Sequence, residues 1–183
     1  AESLRMRDFT SEEVRFLYNE HTHETGQRFN EDALDAAFTL TQGQPWLVNA
    51  LAYEACFRIM RDRQQPITQE IIEIAKENLI KRRDTHLDLL ADRLQEPRVR
   101  DIIDAFINGT DTSLDFPQDN IQYVIDLGLV VRRHNTLMIA NPIYQEVLPR
   151  ELVYSTQLTM PQHQLWYVKE DGSIDMHKML SSF

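Results

Sequence analysis

Gly43-Gln44-Pro45, set between two apolar helical stretches, is the spacing in this chain best suited to chemistry. Pro45 has a fixed φ and no N–H, which suits the first position of a helix. Gly43 has no side chain, and the first-turn N–H groups of a helix lack intrahelical partners, so a flat ligand could approach bare backbone there. Gly43 and Pro45 are therefore the candidate nucleotide-contacting residues, and a plain turn between two helices is the alternative. Arg132 and Arg133, beside His134 between two β-like runs, are the candidate nucleic-acid contacts, because phosphate recognition needs cations.

The remaining reactive residue types do not assemble into a site. His21 and His23 are two apart, on different sides of a helix, and no Cys pair or HExxH accompanies them, so no metal site is read. Asp84 and His86 lack a nearby Ser or Cys nucleophile. Cys56 lies in an apolar stretch and reads as a core residue. None of Gly26, Gly43, Gly109, Gly128 or Gly172 is followed by Lys, so the chain has no phosphate-cradling Gly-Lys-Ser/Thr loop. No catalytic residue is assigned, and the chain alone is not expected to hydrolyse ATP.

Four motifs in order, Asp8-Phe9-Thr10, Thr41-Gln42-Gly43-Gln44-Pro45-Trp46-Leu47-Val48-Asn49, Ile121 to Val130, and Ile139-Ala140-Asn141-Pro142-Ile143-Tyr144, resemble the back half of a prokaryotic AAA-like, STAND-type P-loop ATPase. The resemblance runs from about Phe9 to Leu152. It implies a helical lid whose Gly-x-Pro (Gly43, Pro45) lies over the adenine, followed by a winged-helix domain. It also implies ATP, with Mg in the parent protein and none expected bound to this stretch alone. The implied partners are an upstream P-loop domain and a downstream effector domain, with lid closure relaying nucleotide state between them. Related switch ATPases carry a phosphate-sensing Met-His-Asp after the wing, where this chain has Ile139-Ala140-Asn141. Asn141 can still cap a helix, but Ala140 cannot bind phosphate.

The elements that must position these residues follow from periodicity and caps. Thr10-Ser11-Glu12-Glu13 is a capping box, with Phe9 stapling onto Val14, for a helix that ends at Gly26. Asn30 is expected to cap a second helix, with Phe29 and Leu34 as its staple. Pro45 starts a third, apolar on more than one face through Ile59, which predicts the buried centre of a bundle. Thr68 starts a fourth, whose end carries Lys81-Arg82-Arg83, read as a solvated helix terminus. Leu87, Leu90 and Leu94 predict a connecting helix before Pro97.

Beyond Pro97, the pattern predicts a helix through Val99 and Phe106, then a polar loop, then a helix through Ile121 and Ile125 that stops at Gly128. A hairpin of 129–132 with 136–139 follows, then a helix from Asn141-Pro142 that Pro149 interrupts. The fold class is thus mostly α: a helical lid bundle followed by a winged-helix domain with a small β-hairpin. The domains are 1–83 (lid), 84–96 (connecting helix), 97–155 (winged helix) and 156–183 (a linker after Tyr154, then the start of a further unit).

The 183 residues are 42% hydrophobic, enough for two small cores, and carry a net charge of −10. That charge disfavours a broad nucleic-acid or lipid footprint. Gln118 to Leu127, the groove-entering helix of the winged-helix reading, holds Asp119 and Asp126 and no cation, so DNA binding ranks below a structural relay. A protein-interaction module is a further reading. No stretch reaches the roughly 18 apolar residues of a membrane span. With no secretory leader and a single cysteine, a cytoplasmic protein without membrane partners is expected. The start at Ala1 and the end in an apolar-periodic run suggest a piece of a longer protein.

Overall fold

The structure, a computed structural model, describes residues 7–82, 90, 92–108, 116–133 and 136–159, with side chains to residue 152. It is the expected mostly helical architecture with one small hairpin. Helix α1 spans Ser11–Thr25 and begins with the capping box, in which Thr10 N–H donates to Glu13 Oε2 at 2.8 Å and Glu13 N–H to Thr10 Oγ1 at 3.3 Å. Gly26, at φ 78°, ends it in the left-handed conformation. Helix α2 spans Glu31–Thr41; the expected cap is corrected, since Asn30 holds the N-cap position but its side chain makes no capping bond and only its carbonyl accepts, from Leu34 N–H at 3.1 Å.

Helix α3 spans Pro45–Tyr53. Leu47, Val48 and Leu51 are fully buried, each contributing about 1.5–3 kcal/mol of hydrophobic stabilisation. The buried Tyr18 hydroxyl donates to Val48 O at 2.8 Å and so ties α1 to α3. Helix α4 spans Gln69–Arg82 and closes the bundle, with Ile72 and Ala75 inside.

The single helix expected from Pro45 through Ile59 is corrected: after Tyr53 it becomes a π-helical segment, Glu54–Ile59. The wider turn sends Glu54, Ala55 and Cys56 to the inside in succession. The partners of Glu54 explain how burial of its charge is tolerated. Its carboxylate, 2% exposed, accepts from Arg82 at 2.9 Å and Asn78 at 2.9 Å, with Arg58 at 3.6 Å. Arg82 is therefore a clamp on the π segment as well as part of a cationic helix end. Burial pushes the Cys56 thiol up to about 11, as suits a core residue.

The second half contains α5 (Pro97–Ile107), α6 (Gln118–Asp126), the antiparallel strands β1 (Val130–Arg133) and β2 (Thr136–Ile139), and α7 (Pro142–Thr159). The register pairs Val130 with Ile139 and Arg133 with Thr136. Gly128, at φ 74°, turns the chain from α6 into β1. The expected interruption at Pro149 is also corrected, since α7 runs through it and on to Thr159, past the expected linker start. A proline removes one hydrogen bond from a helix, and packing of α7 on α2, α4 and α5 supports the remainder. Leu90 and Leu94 of the expected connecting helix are buried, whereas Leu87 and the loop 109–115 lie outside the described residues. Lys76 of α4 meets Glu146 of α7 at 2.9 Å, so the two halves are bonded as well as packed.

Gln27 is the polar pin of the bundle. Fully buried, it donates from Nε2 to the carbonyls of Met60 (3.0 Å), Asp62 (3.1 Å) and Gln65 (3.2 Å), while Arg63 donates to its Oε1 at 2.8 Å. Gln27→Ala should lower stability by about 2–3 kcal/mol, because those carbonyls lose their donor. Arg15→Ala, which removes only surface ion pairs to Glu31 and Asp35, should cost under about 1 kcal/mol. Urea melts of both variants measure the contrast.

Glu13 supplies a pH dependence. Arg7, and then the Thr10 backbone N–H, hold its carboxyl down at about 2 from an ordinary 4.5. A depressed carboxyl stabilises above its ordinary pKa and loses that contribution as pH falls through the folded value. Amide exchange in the first turn of α1 should therefore accelerate relative to the α3 core between pH 4.5 and about 2.

Candidate functional site

The turn between α2 and α3 is built from the sequence Thr41-Gln42-Gly43-Gln44-Pro45. Gln42 (φ 49°) and Gly43 (φ 78°) are both left-handed, and Gln42 N–H closes α2 onto Phe38 O at 2.7 Å. Thr41 is buried, donates through Oγ1 to Ala37 O at 2.7 Å and accepts from Gly43 N–H at 3.3 Å. Pro45 is the first residue of α3, as its chemistry requires, and Gln44 is the N-cap. The Gln44 side-chain oxygen accepts from Leu47 N–H at 2.8 Å, so this first-turn donor is already engaged within the turn.

The glycine is required for a reason that the sequence pattern did not reveal. Phe9 N–H donates to Gly43 O at 2.8 Å, and a Cβ on Gly43 would stand 1.9 Å from Phe9 O. The bare side of the glycine therefore receives the chain's own incoming segment. Gly43 is buried and Pro45 half-buried.

The hairpin reaches the same turn from the other half of the molecule. Arg133 Nη2 donates to Gln42 Oε1 at 2.7 Å. Arg132 is exposed and adjacent in the strand, and since successive strand residues point to opposite faces, the two arginines do not form one patch. His134 lies outside the described residues. The structure thus brings Gly43, Pro45 and Arg133 around one turn and leaves Arg132 apart. Gln42 and Phe9 are the members that sequence reasoning missed. A non-glycine residue at positive φ just before a glycine is the signal for Gln42, but it is visible only in the backbone.

Asn141 caps α7 as expected, its Oδ1 accepting from Tyr144 N–H at 2.9 Å. The residue is 1% exposed, and its Nδ2 has no hydrogen-bond partner among the described residues. Tyr144, equally buried, has its phenol pushed up by burial and then by the charge of Asp8. His21 is occupied structurally, with its Nε2 3.1 Å from Gln27 Oε1 and 3.0 Å from Arg63. Among the described residues no group of acidic, His and Cys side chains is placed to hold a metal ion.

Neither a family model nor a curated protein matches this chain. Among solved structures it is similar to the Thermotoga maritima RuvB Holliday junction branch migration motor, at 15% identity and a TM-score of 0.41, over 79% of this chain and 51% of that one. A substituted form of the same motor matches at 14% identity and the same TM-score, over 79% and 50%. The chain spans about half the length of these structures.

Gly43→Ala should be far more damaging than a simple turn substitution. The positive φ costs about 1–2 kcal/mol for a residue with a Cβ, and the methyl would also expel Phe9 from its bond. A total loss of about 2–4 kcal/mol is expected in denaturant melts. Accelerated exchange of the Phe9 amide would show that the incoming segment has detached.

Proposed function

We propose that this chain is the lid and winged-helix part of an AAA-like, STAND-type P-loop ATPase. In this reading, residues before Phe9 lead in from the nucleotide-binding domain, and the turn at Gln42-Gly43 lies over the bound ATP. The observation that carries the reading is the double attachment of that turn. Phe9 holds Gly43 from the incoming side and Arg133 holds Gln42 from the hairpin side. A displacement of the incoming segment on nucleotide exchange would load the lid turn and, through Arg133, the hairpin and α7. The free energy for such a change comes from different contacts in the two nucleotide states.

Within this assignment Gly43 shapes the turn and Pro45 presents the half-exposed edge to the base. ATP would be held mainly by the upstream P-loop with its Mg, and the winged helix relays the change to a downstream effector. DNA binding is the less favoured alternative, because Arg133 is engaged by Gln42 and α6 offers no cation for a groove.

Calorimetry with Mg-ATP tests the reading. The 183-residue chain should show no hydrolysis and no micromolar binding, whereas the parent polypeptide should bind ATP. In the parent, Pro45→Ala should weaken binding by about threefold to tenfold. Arg133→Ala should leave binding nearly intact and uncouple any nucleotide-dependent change in the hairpin, read by amide exchange. Micromolar binding by the chain alone, or unchanged affinity in a well-folded Pro45→Ala parent, would overturn it.

A further inference from the structure

The end of α3 and the π segment place an aromatic ridge on the surface of the bundle. Tyr53 is 54% exposed and Phe57 46% exposed, and their rings stack at 5.3 Å with 21° between planes. A recess of about 330 Å³ lies on one side, between α1 and the π segment, lined by Leu17, His21, Ala52 and Phe57. A second, of about 300 Å³, lies on the other, between α3 and α4, lined by Trp46, Ala50, Arg58 and Leu79. Tyr53 and Asn49 border both. Two apolar recesses separated by an exposed aromatic ridge form the kind of contiguous patch that marks a recognition surface. π-Helical turns occur often at functional positions.

The charge around the ridge identifies the partner. Arg58, Arg61 and Arg63 lie along it in a chain of net charge −10. Arg58 shares the Glu54 carboxylate with Arg82. Arg61 and Arg63 have no carboxylate in ion-pair reach among the described residues: Arg61 donates to Phe57 O at 3.1 Å, and Arg63 reaches only Gln27 and His21. Along the ridge Arg58, Arg61, Arg63 and Arg82 stand against the carboxylates of Glu54 and the exposed Asp62, which leaves positive charge in excess. Nucleic acid would use such arginines together with open aromatic faces, but these faces are taken. Arg58 lies 5.6 Å from the Tyr53 centroid, Arg63 lies 4.7 Å from that of Phe57, the rings cover each other, and His21 packs edgewise on Phe57 at 5.7 Å.

We propose that this ridge is the docking surface for an acidic amphipathic helix of a partner protein. Its apolar side chains would fill the two recesses beside Tyr53, and its carboxylates would pair with Arg58, Arg61 and Arg63. Helices commonly seat apolar anchors in a groove in this way, and the surplus guanidinium charge selects carboxylates at the edge of the seat.

The test uses the full chain and fluorescence anisotropy with three labelled probes. They are a helical peptide with Leu and Phe on one face flanked by Glu, the same peptide with Lys in place of Glu, and a short oligothymidylate. The acidic peptide should bind saturably, and the lysine peptide and the oligothymidylate at least about tenfold more weakly. Tyr53→Ser and Arg61→Glu, both at exposed positions, should each weaken the acidic peptide by about fivefold or more, with thermal melts confirming the fold. If Tyr53→Ser fails to fold, Arg61→Glu decides. No saturable binding of the acidic peptide, equal binding of the lysine peptide, preference for the oligothymidylate, or undiminished affinity in a folded Arg61→Glu variant would each overturn the proposal.

Discussion

The hydrogen bond from Phe9 N–H to Gly43 O is the constraint around which the turn between α2 and α3 is arranged. It exists only because position 43 lacks a Cβ, and it lets the segment at Phe9 lie directly against the turn between α2 and α3. Everything nearby follows from that approach. Gln42 is forced into the left-handed region to close α2, which aims its side chain at Arg133. The charge of Asp8, one residue before Phe9, acts on the buried Tyr144 phenol of α7. A glycine that looks like a helix stop in isolation is the point where three parts of the chain meet.

The bundle itself is organised by polar groups placed inside an apolar core. Gln27 and Glu54 are the clearest cases, because each is buried and each is fully used. A buried carboxylate would be costly without partners, and Arg82 with Asn78 supplies them. Gln27 does for the loop before α4 what the Glu54 pair does for the end of α4. Between them they fix both ends of the segment that a purely apolar core would leave free to slide.

Much of this was legible in the residues themselves, and the parts that were not share a physical cause. The capping box at Thr10, the glycine ends at Gly26 and Gly128, Pro45 at N1 and the Asn141 cap are local features, decided within a few residues, and they stand as read. The π segment was invisible because its signal is a register change driven by where Glu54 finds its cations, in a helix distant in sequence. Continuation of α7 through Pro149 likewise depends on packing against α2 and α4. At the site, Gly43 and Pro45 were readable as a turn, whereas the occupant of the bare glycine face was not. That occupant is Phe9, and a contact between residues 34 apart leaves no periodic trace.

Pro149 gives α7 a mechanical character. With no N–H at that position, the carbonyl four residues earlier, on Gln145, loses its intrahelical bond. Gln145 is next to Glu146, the residue that ties α7 to Lys76. The helix is thus tied to α4 by an ion pair before the gap and continues beyond it to Thr159. Such a rod transmits thrust along its axis well but is compliant to bending at one defined place. Glu151 and Leu152, just past the gap, are buried, so packing supports the helix where that hydrogen bond is missing.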